Sequence, residues 1–145
     1  MIKIQKNDFS IDFEIKKITN KFKDIGAMSS FVGYVRNNNE NKKVNSIYLD
    51  VYLKMANLKL LEIADNAKKK WGLIDYLVIH RYGKLTVGEK IVMITTLAKH
   101  RKEIFLSCKY IIEYLKKDAP FWKKEKYGNN SKWLENSKLK NLPNL

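Results

Sequence analysis

A single cysteine, Cys108, is all the thiol chemistry the sequence holds, which excludes an internal disulfide and fits a reducing compartment. With only two histidines, His80 and His100, no common metal-ligand spacing is present and no structural zinc is implied. Glycine and proline are scarce, six and two residues, so no linker rich in either divides the chain and no glycine-rich phosphate loop appears. Neither is there a period of repeat-protein length. Long apolar runs are also missing: the opening Met1-Ile-Lys-Ile-Gln-Lys-Asn-Asp breaks each apolar stretch with charge or polarity before a signal-peptide core or membrane span forms. A soluble, intracellular, cytoplasmic protein is therefore expected. Its 145 residues, 45% of them hydrophobic, suffice to close one core, so residues 1–145 are expected to form a single domain.

Acidic residues are outnumbered as well. Lys and Arg total 29 against 15 Asp and Glu, leaving a net charge of +14. Such a field concentrates anions of any kind: nucleic acid, a membrane surface, a phosphate ligand or an acidic protein. Charge alone does not choose among them, and lysine interleaved with asparagine also suits plain solvated faces.

What is present is periodicity. Ile15, Ile18, Phe22 and Ile25 predict a helix over about 12–23, ended by Gly26, and about 27–35 reads as a strand. A polar loop, Arg36 to Asn41, precedes a second strand over about 44–52, where Ile47, Leu49 and Val51 alternate with Tyr48 and Asp50. Helix formers fill about 55–71. Two further strands, about 74–82 and 90–98, are linked through Gly83 and Gly88. Ile104, Phe105, Cys108, Ile111, Ile112 and Leu115 then predict an amphipathic helix that stops before Pro120. An irregular tail is expected from about Tyr127. The sum is an α+β fold with a mixed, largely antiparallel sheet, because hairpin-length links outnumber crossovers.

Three clusters bear on chemistry. Phe31-Val-Gly-Tyr-Val-Arg36-Asn37 ends a strand by presenting a guanidinium, a planar fork suited to phosphate or carboxylate, though a solvating strand-end charge reads the same. Ala98-Lys99-His100-Arg101 puts basic groups at a helix N-terminus, where they oppose the dipole unless an anion is bound; His100 is equally readable as a cap or packing residue. Tyr114-Leu-Lys116-Lys-Asp-Ala-Pro120-Phe121-Trp122-Lys123 lets the chain turn at Pro120 so that Lys123 returns toward Lys116. Partial desolvation among aromatics there would make a lysine a usable proton donor or base, while lysines at a helix C-terminus also simply complement the dipole. Cys108 falls on the apolar stripe beside Phe105 and Ile112 and reads as core rather than nucleophile. His80 and Arg81, at the end of a strand, stay ambiguous.

Taken together, Gly33-Tyr-Val-Arg36-Asn37, Val78-Ile-His80-Arg81-Tyr-Gly83, Ala98-Lys-His100-Arg101 and the block from Tyr114 to Lys123 resemble, in order and spacing, the large-subunit family of molybdopterin synthases. The resemblance covers about 26–133. It implies an alpha/beta-hammerhead-type fold and a homodimer of large subunits with a small ubiquitin-like sulfur-carrier subunit at each end, a heterotetramer. The implied reaction is a sulfurtransfer of molybdenum cofactor biosynthesis: the carrier's C-terminal thiocarboxylate delivers sulfur to cyclic pyranopterin monophosphate, forming the dithiolene of molybdopterin. No cofactor or metal is implied, since the partner supplies the sulfur. By motif match Lys116 and Lys123 correspond to catalytic lysines and Arg36, His100 and Arg101 to an anion-binding pocket. Lys132 stands where the family often has an arginine, contributed across the dimer interface. The chain departs from the family at Asp50-Val-Tyr-Leu-Lys-Met55, which lacks the usual histidine, proline and glycine, and at Lys84 and Lys90, where acidic residues are common.

Two other classes compete. A nucleic-acid module would draw on the same charge and on 12% aromatics, displayed on an exposed sheet face. Trp71, Phe105 and Phe121 instead fall on apolar stripes or beside a helix stop. A non-catalytic scaffold would keep the fold without needing Lys116 and Lys123.

Overall fold

The structure, a computed structural model, describes residues 1–39 and 41–134. The chain opens with strand β1 (Ile2–Gln5) and helix α1 (Ile11–Thr19). Ser10 caps that helix, its hydroxyl accepting from the Phe13 N–H at 3.3 Å. The helix stops at Thr19, short of the expected 23, because the chain tightens there: Lys21 N–H bonds to Ile18 and Phe22 N–H to Thr19. Phe22 and Ile25 still pack on the same core as Ile18.

Strand β2 (Ala27–Tyr34) is followed by a short ribbon, β3 (Asn38–Asn39) and β4 (Lys42–Lys43), where a loop was expected. Asn41 takes a left-handed φ of 63° there, which asparagine tolerates. Next come β5 (Ser46–Val51) and α2 (Leu53–Trp71), which ends on left-handed Gly72 at φ 60°. Strands β6 (Asp75–Arg81), β7 (Gly83–Thr86) and β8 (Lys90–Ala98) lead into α3 (Arg101–Asp118). Two further strands close the described chain, β9 (Phe121–Tyr127) and β10 (Asn130–Leu134). The irregular tail expected from about 127 is thus strand through Leu134: Gly128 at φ 55° supports a tight reversal and β10 pairs antiparallel with β9. Residues 135–145, including the expected irregular Asn141-Leu-Pro-Asn-Leu, lie outside the described residues.

The strands divide between two four-stranded sheets, ordered β1-β6-β8-β2 and β10-β9-β5-β7. Pairing is antiparallel among the described residues except between β1 and β6. The chain passes from the first sheet to the second at Tyr82 and Gly83, whose φ of 87° a residue with a Cβ rarely adopts.

Each of the first sheet's two faces is covered. Tyr76, Val78, Val92 and Ile94 pack with α2 and α3 side chains such as Leu60, Ala64, Ile111 and Leu115. Leu77, Ile79, Met93 and Leu97 pack with Phe9 and with Ile18 of α1. This double coverage is why β6 and β8 read as near-continuous apolar runs. Cys108 is buried in the first cluster, as its place on the apolar stripe predicts, and burial pushes its thiol up. Phe105 corrects the sequence reading, since it is 64% exposed and Ile104 fills the core instead. No helix among the described residues is long and apolar enough to cross a membrane.

Candidate active site

At the C-terminal end of α3 the last carbonyls are closed by Ala119, whose N–H bonds to Leu115, and Phe121 enters the core. Both Lys116 on the helix and Lys123 on β9 flank this turn. Lys116 is exposed. Lys123 is held: its Nζ lies 2.7 Å from Oε1 of Glu125, whose side chain is 1% exposed. Asn39 donates to both Glu125 oxygens at 3.1 and 3.0 Å, and the Tyr127 hydroxyl donates to one of them. Burial would push this carboxyl up, but Lys123, Tyr127 and Asn39 together hold it below the ordinary glutamate value. A fixed anion therefore stands in the sheet with its donors arranged around it.

Alternation explains the arrangement. Residues 121, 123, 125 and 127 share one face of β9, and on that same face of the sheet stand Ile47 and Leu49, the register partners of Glu125 and Lys123 on β5. Lys132, opposite Glu125 on β10, shares the same face but is exposed at the edge. Arg36 follows β2 and is exposed, three residues before Asn39. The ribbon's Val44 N–H to Asn37 bond ties the Arg36 segment to this corner.

His100 and Arg101 sit elsewhere. Both are exposed at the N-terminal end of α3, where His100 is the N-cap residue and makes no side-chain cap bond. From Arg101 to Lys116 the helix rises about 22 Å. From Arg36 they are separated by the length of β2, roughly 26 Å. The anion-binding pocket expected from Arg36, His100 and Arg101 therefore does not close within one chain, because β2 places Arg36 at one of its ends and the His100 loop at the other. Of the two readings of Lys116, desolvation among aromatics or complementing the helix dipole, its position fits the second: Ala119 and Phe121 fill the core at the turn and Lys116 is exposed in the last turn of α3.

His80 and Arg81 resolve as structural groups. His80 stacks on Phe121 with ring centroids 3.8 Å apart, and its Nδ1 lies 2.8 Å from the Arg81 carbonyl. Burial pushes it down to about 4, against a smaller opposing effect of that carbonyl. Arg81 is buried and donates to the carbonyls of Lys6 and Lys90 and to Glu89. Glu125, Asn39 and Tyr127 escaped the sequence reading. The signal was there in the two-residue period of Phe121, Lys123, Glu125 and Tyr127, obscured because charged residues in a lysine-rich segment imitate a solvated tail.

The family model described as "MoaE protein" matches residues 4–118. A molybdopterin synthase catalytic subunit of Ralstonia nicotianae is 40% identical over 134 residues, 92% of this chain and 76% of that protein. Among solved structures, the molybdopterin biosynthesis MoaE protein of Burkholderia ambifaria superposes with a TM-score of 0.81 at 37% identity, covering 92% of this chain and 88% of that one. Molybdopterin synthase from Staphylococcus aureus gives 0.85 at 30% identity, covering 92% and 96%. The chain belongs to the MoaE family, the catalytic subunits of molybdopterin synthase, sulfurtransferases of molybdenum cofactor biosynthesis.

Proposed function

We propose that this chain, in the cytoplasm, takes sulfur from the C-terminal thiocarboxylate of a small ubiquitin-like carrier subunit and passes it to cyclic pyranopterin monophosphate, building the dithiolene. The observation that carries the site assignment is the Lys123–Glu125 pair, 2.7 Å apart on β9, the strand that directly follows the helix whose last turn holds Lys116. Glu125 fixes Lys123 as an oriented cation, suited to positioning substrate, while exposed Lys116 is placed to stabilise charge on the thiocarboxylate carbonyl and to shuttle protons. Since the one thiol, Cys108, is buried and held in its neutral form, the nucleophilic sulfur arrives on the partner and no cofactor is called on. A surplus of +14 charge favours an acidic carrier and an anionic substrate.

Arg36, His100 and Arg101 hold the substrate phosphate in this reading, with Lys132 contributing across a dimer. Their separation in one chain requires a second copy. Strand β2 is the outer strand of its sheet, with Met28, Phe31 and Tyr34 exposed along it. Antiparallel pairing of two β2 edges near Phe31 would lay Arg36 of one copy beside Gly26 of the other. Gly26 adjoins the His100 loop: its N–H bonds to the Ala98 carbonyl, and a Cβ there would meet the Lys99 carbonyl oxygen at 1.9 Å.

Lys116→Ala should abolish dithiolene formation in a reconstitution with thiocarboxylated carrier and the pterin precursor, while circular dichroism and carrier binding stay normal; near-normal turnover would overturn the assignment. Phe31→Lys should shift the chain from dimer to monomer in light scattering and remove turnover with it. A variant that stays dimeric rules out the β2 edge.

A further inference from the structure

The ribbon of β3 and β4 is too short to be held by its own pairing: Asn38 faces Lys43 and Asn39 faces Lys42, and a lone two-stranded ribbon is marginal in water. It is fixed from outside. At its base the Val44 N–H donates to the Asn37 carbonyl and the Asn45 N–H to the Lys126 carbonyl of β9, both at 2.9 Å. Further along, the Asn39 amide donates to both Glu125 oxygens at 3.1 and 3.0 Å. Lys42, opposite Asn39, places its Nζ 5.9 Å from the Tyr127 ring centroid. Arg36 lies between two anchors of this kind. On one side Val35 is buried, its N–H donating to the Glu89 carbonyl and its carbonyl accepting from the Gly88 N–H, each at 2.9 Å. On the other, Asn39 is three residues along, so its Cα stands within about 11 Å of that of Arg36.

Glu125 takes three side-chain donors among the described residues, and they differ in origin. Lys123 and Tyr127 belong to its own strand, whereas Asn39 joins it to the segment that carries Arg36. The residue type suits that task. A side-chain amide offers two N–H groups, one for each carboxylate oxygen, without adding a cation to compete with Lys123; a serine hydroxyl has one proton to give. Building on the function proposed above, we infer that Asn39 is a positioning residue for the sulfur transfer, setting the separation between Arg36, which holds the substrate phosphate, and the Lys123–Glu125 pair. Without Asn39, Glu125 keeps Lys123 and Tyr127, so the lysine stays oriented. The ribbon, however, loses its side-chain tie to β9, and Arg36 is no longer held at a fixed reach. The loss therefore falls on substrate affinity rather than on the chemical step.

The test is steady-state turnover of the full chain reconstituted with thiocarboxylated carrier, with KM and kcat for the pterin precursor read separately. Asn39→Ala should raise KM about tenfold, the worth of one charge-assisted contact, with kcat within about twofold. Arg36→Ala should raise KM as well, but combining it with Asn39→Ala should add little, because the arginine has already lost its placement. Asn39→Asp keeps the shape, loses the donors and sets a second carboxylate against Glu125. Its KM should fall back toward the wild-type value as pH is lowered and the new acid protonates into a donor, a trend absent from Asn39→Ala. An unchanged KM in Asn39→Ala, KM increases that multiply in the double variant, or a loss in kcat in place of the change in KM would each overturn the proposal. Should Asn39→Ala fold poorly, Asn39→Asp decides: a raised KM that does not respond to pH refutes the role. A wild-type chain that fails to turn over the precursor would overturn the function proposed above and this role with it, whereas normal wild-type turnover with multiplying variants removes the role of Asn39 alone.

Discussion

The two ends of α3 are both basic, but they are built differently. At the C-terminal end Lys123 is tied to Glu125, which Asn39 and Tyr127 also engage, and the apolar groups Ala119 and Phe121 are packed beneath. At the N-terminal end His100 and Arg101 are exposed and His100 caps nothing. A cation with a fixed counter-ion has its position set in advance, which suits a group that must meet a reacting atom. Arg101, at the helix N-terminus and with no ion pair among the described residues, leaves its positive potential available to an incoming anion. One helix thus carries a preorganised end and a receptive end, and stability should respond to mutation at the first while affinity responds at the second.

Removing the fixed anion should produce the largest effect. Glu125→Ala leaves the Asn39 amide and Tyr127 hydroxyl without their acceptor and frees Lys123, an expected loss of about 4 kcal/mol in urea unfolding. Glu125→Gln should recover part of that stability, because Asn39 can still donate to the amide oxygen, without recovering turnover, because Lys123 stays unanchored. A glutamine variant with normal turnover would mean that the ion pair is structural only.

Next in size is acid sensitivity at the same end, where His80 stacks on Phe121. Its folded-state value, about 4, lies below the ordinary 6.5 because burial disfavours the cation. The unfolded chain therefore binds the extra proton first, so this contribution is fully present above pH 6.5 and is lost as pH falls toward 4. Asp8, Glu89 and Glu125, each held below its ordinary value, lose their contributions at lower pH than His80 begins to. Between pH 6.5 and about 5 the histidine should account for a decline of about 2 kcal/mol. His80→Gln should flatten the unfolding free energy over that interval, and a slope that survives the substitution would remove His80 as its source.

How far the sequence disclosed this comparison depends on pattern strength. β6 and β8 were legible because burial on both faces leaves long apolar runs, and α3 because Ile104, Cys108, Ile111 and Leu115 recur at helical spacing. The extra strands were not: β1 and β7 are four residues each, β9 is rich in lysine, and β10 is five mostly polar residues. The pairing of β1, β7 and β9 comes from partners distant in sequence, such as Lys123 with Leu49, which local periodicity does not encode. For the same reason Lys116 and Lys123 could be named from motif while Glu125 could not, since its role exists only once β9 lies against β5 and the Asn39 ribbon. The separation of Arg36 from His100 was hidden too, because spacing along a chain does not say at which end of a strand a residue will stand.

The receptive end gives the smallest stability change and the sharpest contrast. Arg101 opens α3 where the helix dipole is positive, so its own charge is unfavourable there in the absence of a bound anion. Arg101→Glu replaces an opposed charge with a favoured one and should stabilise the free chain by about 0.3–1 kcal/mol, read as a small rise in Tm. The same change places negative charge where the substrate phosphate is proposed to bind, so KM for the pterin precursor should rise at least about tenfold, the loss of one charge-assisted contact. A gain in stability coupled to a loss in affinity is what a site kept unfavourable for its ligand's sake must show, and no structural role for Arg101 yields both. If the variant instead melted lower, with KM unchanged, the two ends of α3 would differ in exposure alone, and the phosphate would have to be sought elsewhere.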